Sequence, residues 1–230
     1  MIFFSFVLGM KKVLQSEALK KYSLKVFLRV EFVTSIVKDL KELPPPSPSK
    51  PRSSVLKLNP HGYPTEAAAI TELRFIDSPE KLEYRVLYIP TIPNFPLLDG
   101  FFFMDSPRRT LVGLQMTTAR AHHTKTSTVK LFNERLAAYF DGWEEFAQGL
   151  SWDIIYIQHA NSTPMKKWQR CDYVNPRNKT DAEKEIVAFW DGKVHQYQVI
   201  LKGKFPEAIE FSYDGLPEGD KKGKKIFKKK

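Results

Sequence analysis

The segment from 94 to 118, NFPLLDGFFFMDSPRRTLVGLQMTT, limits the possible folds more than any other part of the chain. Two apolar stretches flank a short polar turn near Pro107, which is the pattern of a β-hairpin. Each stretch also carries one hydrogen-bonding residue, Asp99 in the first and Gln115 in the second. Because alternate strand residues share a face, this register places Asp99 opposite Gln115, with Thr117 one step along the same face.

Two interpretations of this polar pair are open. Asp99 can open its strand by accepting local backbone hydrogen bonds, while Gln115 satisfies the edge of a sheet. Alternatively, the Asp99 carboxylate, the Gln115 side-chain carbonyl and the Met116 main-chain carbonyl offer oxygens to a hard cation. Mg²⁺ is the cation that fits such a set, because it keeps several waters and needs few protein ligands. Composition does not decide between the two.

The composition places the chain among globular proteins. It has 230 residues, of which 42% are apolar and 17 are Phe, enough to bury one core with appendages. Its single cysteine, Cys171, excludes an intramolecular disulfide and a Cys-rich zinc site, which favours the reducing environment of nucleus or cytoplasm. No apolar run approaches the length of about 20 residues that spans a bilayer, so no membrane partner is expected.

Four regions follow from the pattern of the chain. Residues 1–43 form a helical segment whose apolar spacing, from Val33 through Ile36 and Val37 to Leu40, marks one helix face. Residues 44–54 are rich in proline and predict a stiff linker. Residues 55–201 form the body, and residues 202–230 a basic disordered tail.

Within the body, the pattern predicts a succession of strands and helices. A short helix bearing Glu66 and Glu72 precedes a strand at 84–89 and the hairpin. A helix from Thr126 carries an apolar stripe, a buried strand covers 151–160, and a helix runs from Asp181 to about 201. The order (α)βββαβ followed by α predicts an α/β fold with a mixed sheet. No phosphate loop, nucleophile elbow or zinc motif occurs, and the adjacent His122 and His123 indicate a polar loop.

The net charge of +10 is unevenly distributed, because the last ten residues, KKGKKIFKKK, hold seven lysines and no acid. Such a run can act as a nuclear localisation signal or contact phosphates, or it can be a solvated end. Its candidate nucleic-acid-binding residues are Lys221, Lys222, Lys224, Lys225, Lys228, Lys229 and Lys230.

Several longer runs are specific enough to suggest a family. They are YRVLYIPTIPNFPLLDGFFF, TLVGLQMTTARAHHT, LAAYFDGWEEF, LSWDIIYIQHA, STPMKKWQRCD and IVAFWDGKVHQYQV. Together with the linker PPPSPSKPRSSVLKL, they resemble the C-terminal region of the retrotransposon hot spot proteins of trypanosomes, over roughly residues 38 to 200. That family is related to the Crinkler-type effectors.

The resemblance implies a divergent restriction-endonuclease-like αβββαβ core with flanking helices. In that fold an Asp begins one strand, and Glu-x-Lys or Gln-x-Lys lies on the next. Asp99 and Gln115 match the first two positions, but the third holds Thr117 in place of the lysine that orients water in metal-assisted phosphodiester hydrolysis. Lys125, a further candidate nucleic-acid contact, or His122 could compensate from the following loop.

The same resemblance gives the remaining expectations. Glu66 or Glu72 could add an acid from a helix, and Mg²⁺ is the expected cofactor. Family members carry a P-loop ATPase region ahead of this domain, and residues 1–43 resemble its end, so we expect a fragment. The family is associated with the nucleus, transcription, chromatin and mRNA export, which implies DNA or RNA and transcription or chromatin proteins as partners.

Three functions therefore stay open at this point. The first is a nuclear, degenerate nuclease-like domain that contacts nucleic acid or the transcription machinery. The second is an active Mg²⁺-dependent endonuclease, and the third is a protein-interaction module without nucleic-acid binding. The loss of the lysine at Thr117 favours the first over the second, and the basic tail favours it over the third.

Overall fold

The protein folds around one seven-stranded mixed sheet with helices on both faces. The computed structural model describes residues 24, 26–45, 52–71, 79–92 and 94–201. The strands of the sheet are β1 (Lys41–Glu42), β2 (Glu66–Ile70), β3 (Val86–Pro90), β4 (Gly100–Met104), β5 (Thr110–Met116), β7 (Ser151–His159) and β9 (Val194–Leu201). In spatial order they run β1-β9-β7-β5-β4-β3-β2.

Five helices whose full length is described accompany the sheet. They are α1 (Val30–Asp39), α2 (Val55–Leu58), α3 (Thr126–Tyr139), α4 (Trp143–Gln148) and α5 (Asp181–Lys193), with a 3-10 turn at Pro60–Gly62. A second, two-stranded sheet joins β6 (Thr124–Lys125) to β8 (Cys171–Asp172) in parallel. The expected α/β class with a mixed sheet and flanking helices is confirmed.

The predicted hairpin forms the centre of the sheet. β4 pairs with β5 in antiparallel register from Gly100 opposite Leu114 to Met104 opposite Thr110. β3 is antiparallel to β4, whereas β5, β7 and β9 are mutually parallel. The parallel strands require crossovers. α3 and α4 provide the first of these and α5 the second.

The two faces of the hairpin supply two separate hydrophobic cores. Phe102 and Leu114 lie on the face covered by α1 and α2, and Phe101 and Phe103 lie on the face covered by α3, α4 and α5. All four side chains are fully buried. Successive side chains of a strand point to opposite faces, and neither face of this sheet meets water. A central strand therefore requires apolar residues at successive positions.

The segment before the Pro-rich stretch belongs to the first core. α1 buries Phe32, Val33, Ile36 and Val37, as the helical spacing predicts. β1 pairs with β9 through Lys41 opposite Gln198. The described residues on the two sides of the stretch at 44–54 therefore share one core, while the proposed domain boundaries themselves stay predictions. Residues 46–51 of that stretch lie outside the described residues.

The predicted helix around Glu66 is wrong. Residues 66–70, EAAAI, form the edge strand β2, which pairs in parallel with β3 from Glu66 opposite Val86. Alanine favours helices on its own, but here Ile70 is buried and the backbone is paired with a neighbouring strand, so tertiary pairing overrides the local preference. Glu72 lies outside the described residues.

The predicted helix from Asp181 to 201 is correct only in its first half. α5 ends at Lys193, and residues 194–201 form β9, which pairs with β7 from Trp152 opposite Val194 to His159 opposite Leu201. The apolar residues Val194 and Tyr197, three positions apart, fit the helical spacing, but in the strand they lie on opposite faces and enter different cores. Eight consecutive strand pairings with a buried neighbour favour the strand.

The stripe that begins at Thr126 is divided between two helices. α3 ends at Tyr139, and Gly142 adopts a left-handed backbone with φ of 66° before α4 begins at Trp143. Glycine takes this conformation without steric cost, so the chain can turn there. Phe140 and Trp143 stay in the second core on either side of the turn.

A single carboxylate joins the starts of α3 and α5. Glu183 and Thr180 form a reciprocal capping box, and Glu183 Oε1 also accepts the Thr126 hydroxyl at 2.9 Å and the Val174 N–H at 3.1 Å. These bonds, led by that from the Thr180 backbone, lower the pKa of Glu183 from its ordinary 4.5 to about 2. The folded state therefore stabilises the ionised form of the Glu183 carboxyl group.

We expect Glu183→Gln to lower the stability of the protein at neutral pH and to flatten its acid dependence. A carboxylate whose pKa falls on folding stabilises fully above its unfolded pKa, and this contribution is lost as the pH falls from about 4.5 through about 2. Urea unfolding measured across this range checks the expectation. The exposed Glu185 on the same helix provides the control, because Glu185→Gln removes a charge without touching the capping box.

Candidate functional site

Asp99 and Gln115 meet at the end of the central hairpin. The Asp99 N–H donates to the Leu114 carbonyl at 2.9 Å, which continues the β4–β5 ladder by one residue. Gln115 Nε2 donates to Asp99 Oδ2 at 3.2 Å, and the Met116 N–H donates to the same oxygen at 2.7 Å. The predicted register and shared face are therefore confirmed.

The described contacts give Asp99 a structural role as well as a candidate chemical one. Its carboxylate accepts the Met116 N–H beyond the start of β4, so a side chain replaces the backbone acceptor of a longer strand. This agrees with the strand-opening interpretation. The cation interpretation requires the carbonyl oxygens of Gln115 and Met116, whereas the described contacts use their N–H groups, and the metal site stays a prediction.

Thr117 occupies the position where the nuclease pattern has lysine. The side chain is buried, and its hydroxyl accepts the Ala119 N–H at 3.1 Å. Its own N–H donates to the Ile157 carbonyl at 3.0 Å and so extends the pairing of β5 with β7. Thr117 thus begins the loop after β5 and contributes no charge.

The two residues proposed to compensate lie on the loop that follows. The His122 ring lies 6.3 Å from the ring of Tyr156, which stands beside Gln115 in the β5–β7 register. Burial raises the pKa of the Tyr156 phenol, so this side chain is neutral at physiological pH. Lys125 is exposed in β6 opposite Asp172. His122 therefore lies over the same part of the sheet as Gln115.

Glu66 is not brought to this site. It stands beside Val86 on β3, and the Arg85 N–H donates to Phe103, which places Glu66 at the far end of β4 from Asp99. The other candidate acid, Glu72, and the tail lysines from Lys221 to Lys230 lie outside the described residues. Their proposed roles stay predictions.

Sequence reasoning missed a set of buried glutamines at the same edge of the sheet. Gln158 is fully buried near the end of β7. Its amide nitrogen donates to the carbonyls of Ala119 at 2.8 Å and Thr163 at 3.0 Å. Its oxygen accepts the Met165 N–H at 2.8 Å and the Gln198 amide at 3.1 Å. All four hydrogen-bonding positions of the amide are thus occupied.

A second buried amide fixes the same loops from β9. Gln196 accepts the Gln169 N–H at 2.7 Å and donates to the Gln169 carbonyl at 2.8 Å. The indole N–H of Trp190 donates to that carbonyl at 2.9 Å, and Gln169 Oε1 accepts the His122 N–H at 2.6 Å. The signal in the sequence was the glutamines Gln158, Gln196 and Gln198, which lie in strands that are buried along most of their length.

A buried ion pair on the opposite face was also missed. Asp153 is fully buried, accepts Arg108 Nη2 at 2.9 Å and the Val55 N–H at 2.7 Å, and so fastens α2 to β7. Burial raises its pKa, and Arg108 opposes that shift. Burial, with Arg108 and Arg52 nearby, lowers the pKa of His195 to about 4. This cluster faces the first core, away from Asp99.

Comparisons with known proteins supply no family for this chain. A scan against family models and searches of curated proteins and of solved structures found no significant match. Among the described residues, no group of three or more His, Cys, Asp or Glu side chains is placed to hold a metal ion. None of the helices in the described ranges combines the length and apolarity needed to cross a membrane.

We expect Asp99→Ala to destabilise the protein by about 1 to 3 kcal/mol, since the Met116 N–H loses its acceptor. Asp99→Asn keeps one acceptor oxygen and should cost less. Urea unfolding compares the two. Asp105→Ala, at an exposed acid in the hairpin turn, is the control, and equal losses for both Asp99 variants contradict the hydrogen-bonding role.

Proposed function

We propose that this chain is a nuclear protein of the retrotransposon hot spot family whose degenerate nuclease-like domain contacts nucleic acid and cleaves it weakly or not at all. The observation that carries the proposal is the contact of Asp99 with Gln115, followed on the same face by Thr117. These are the first two positions of a metal-dependent nuclease pattern, with a neutral residue at the third.

The order of the strands supports the proposed endonuclease-like core. β3, β4 and β5 form an antiparallel run, helices cross over, and β7 returns parallel to β5. With the strands β1 and β2 at the sheet edges and the short β6 set aside, this is the order of an αβββαβ core, with α1 or α2 as its first helix. In this order the residues that match the family pattern lie at the end of the hairpin, where Asp99 contacts Gln115.

The chemistry of the site explains the expected weakness of cleavage. Mg²⁺ requires nearly octahedral oxygen coordination, and Asp99 supplies one carboxylate whose Oδ2 already accepts two N–H groups. Gln115 adds at most a neutral oxygen. Thr117 is buried and uncharged, so it offers no cation beside a scissile phosphate. Weak metal binding and poor hydrolysis follow.

The charge of the chain supports nucleic acid as partner. A net charge of +10 attracts nucleic-acid phosphates whatever the nucleotide sequence. The lysines from Lys221 to Lys230 carry much of this charge. Transcription or chromatin proteins are further proposed partners, on the family resemblance. That resemblance also supports the proposed nuclear location, with the cytoplasm as an additional one.

A cleavage assay tests the proposal. End-labelled single-stranded and double-stranded DNA and RNA are incubated with the protein and Mg²⁺ or Mn²⁺, and with its Asp99→Asn and Thr117→Lys variants. We expect binding without cleavage above the Asp99→Asn background. Thr117→Lys restores a positioning cation and should raise any residual rate, because such a group can contribute about 10²-fold or more.

The outcomes separate the three functions. Cleavage by the unmodified protein that is lost in Asp99→Asn establishes the active endonuclease. If the protein neither binds nor cleaves any of the substrates, the result supports the protein-interaction module. Thermal unfolding of each variant serves as the folding control, so that a lost activity is not confused with a lost fold.

A further inference from the structure

Two loops lie against each other at the carboxyl edge of the parallel strands. β6 pairs with β8 through Thr124 opposite Cys171, and the Thr124 N–H donates to the Arg170 carbonyl at 2.9 Å. The Arg170 N–H donates in turn to His123 Nδ1 at 3.0 Å. We call residues 117–125 and 160–172 together the carboxyl-edge surface.

This surface is strongly basic. Five exposed cations belong to it, and the acid Asp172 is the one carboxylate within its two segments. The cations are Arg120, Lys125, Lys166, Lys167 and Arg170. Asp172 pairs with Arg170 at 3.4 Å, and the ion pairs of the described residues neutralise none of the other four. The surface therefore presents unbalanced positive charge.

Buried amides hold both halves of the surface in place. Gln158 bonds the carbonyls of Ala119 and Thr163, one from each loop, and Gln169 bonds the His122 N–H. The backbone that carries the cations is thus anchored to the sheet before any partner arrives. Such preorganisation reduces the ordering cost of binding.

The surface also lacks the features of other kinds of interface. The large hydrophobic side chains that are exposed in the described ranges all lie elsewhere, at Val30, Leu58, Tyr84, Leu131 and Val174. A lipid surface or an apolar helix would find no large exposed apolar side chain within these two segments. His123 adds a further donor, because Nδ1 accepts the Arg170 N–H and the neutral ring then carries its proton on Nε2.

We propose that the carboxyl-edge surface binds the phosphate backbone of nucleic acid. Its cations neutralise phosphates, and the first loop begins at Thr117, two residues after Gln115, so a bound strand passes beside Asp99. This inference rests on the proposed nucleic-acid contact and deepens it, because it assigns binding to a folded surface in addition to the lysine tail.

Charge-removal variants of the full chain test the surface. The triple variant Arg120→Gln, Lys166→Gln, Lys167→Gln removes three of its cations. The matched control, Lys38→Gln, Lys57→Gln, Lys81→Gln, removes three exposed cations outside it. Fluorescence polarisation with labelled 20-nucleotide DNA and RNA, single- and double-stranded, gives the affinity at several salt concentrations.

We expect the surface triple variant to weaken binding about tenfold or more near 0.1 M salt. It should also flatten the slope of log K against log salt by about 2 to 3, while the control triple changes neither by a comparable amount. Far-ultraviolet circular dichroism and thermal unfolding establish that both variants fold.

Each other result has a definite meaning. Suppose that the unmodified protein binds nucleic acid, and that both triple variants weaken that binding equally or neither variant weakens it. In either case the carboxyl-edge surface is not the binding site, and the lysine tail remains the proposed source of the affinity. If the unmodified protein binds no nucleic acid, the proposed function fails along with the inference. Polyglutamate that competes as well as an oligonucleotide of equal charge overturns the assignment to nucleic acid.

Discussion

Buried amide side chains need hydrogen-bond partners, and this need determines how the loops of the carboxyl-edge surface are held. Gln158 and Gln196 are fully buried in β7 and β9, and an unsatisfied amide there costs about 1 to 3 kcal/mol. Their partners are backbone groups of the loops after β5 and β7. The same bonds that satisfy the core therefore fix the loops that carry the basic side chains, so packing and surface charge are coupled.

Asp99 also shows a polar side chain that holds backbone in place through hydrogen bonds, here with a carboxylate in place of an amide. Its carboxylate accepts N–H groups from Gln115 and Met116 where β4 is too short to supply a backbone acceptor. In the proposed nuclease pattern this residue would serve a metal ion, whereas the described contacts make it part of the hairpin. These hydrogen bonds account for an aspartate at position 99 beside a neutral Thr117, since they need no lysine.

The sequence predicts the hairpin and its register well, because a period of two and a turn near Pro107 leave few alternatives. It also predicts that Asp99 and Gln115 meet. It fails in β9, which is buried on both faces and so shows no period of two, while the spacing of Val194 and Tyr197 fits a helix. It also fails in β2, where pairing with a neighbouring strand overrides the helical preference of the alanines. The partners of the glutamines come from distant loops, which local patterns cannot indicate.

The central claim is that Asp99 and Gln115 form the remains of a metal site within the hairpin. A Mg²⁺ titration of the ¹⁵N-labelled protein, followed by nuclear magnetic resonance, tests it most directly. The account predicts weak but saturable shifts of the Gln115 side-chain amide and the Met116 backbone amide, and their loss in Asp99→Asn. Shifts that grow linearly without saturation, or that persist unchanged in Asp99→Asn, would contradict it.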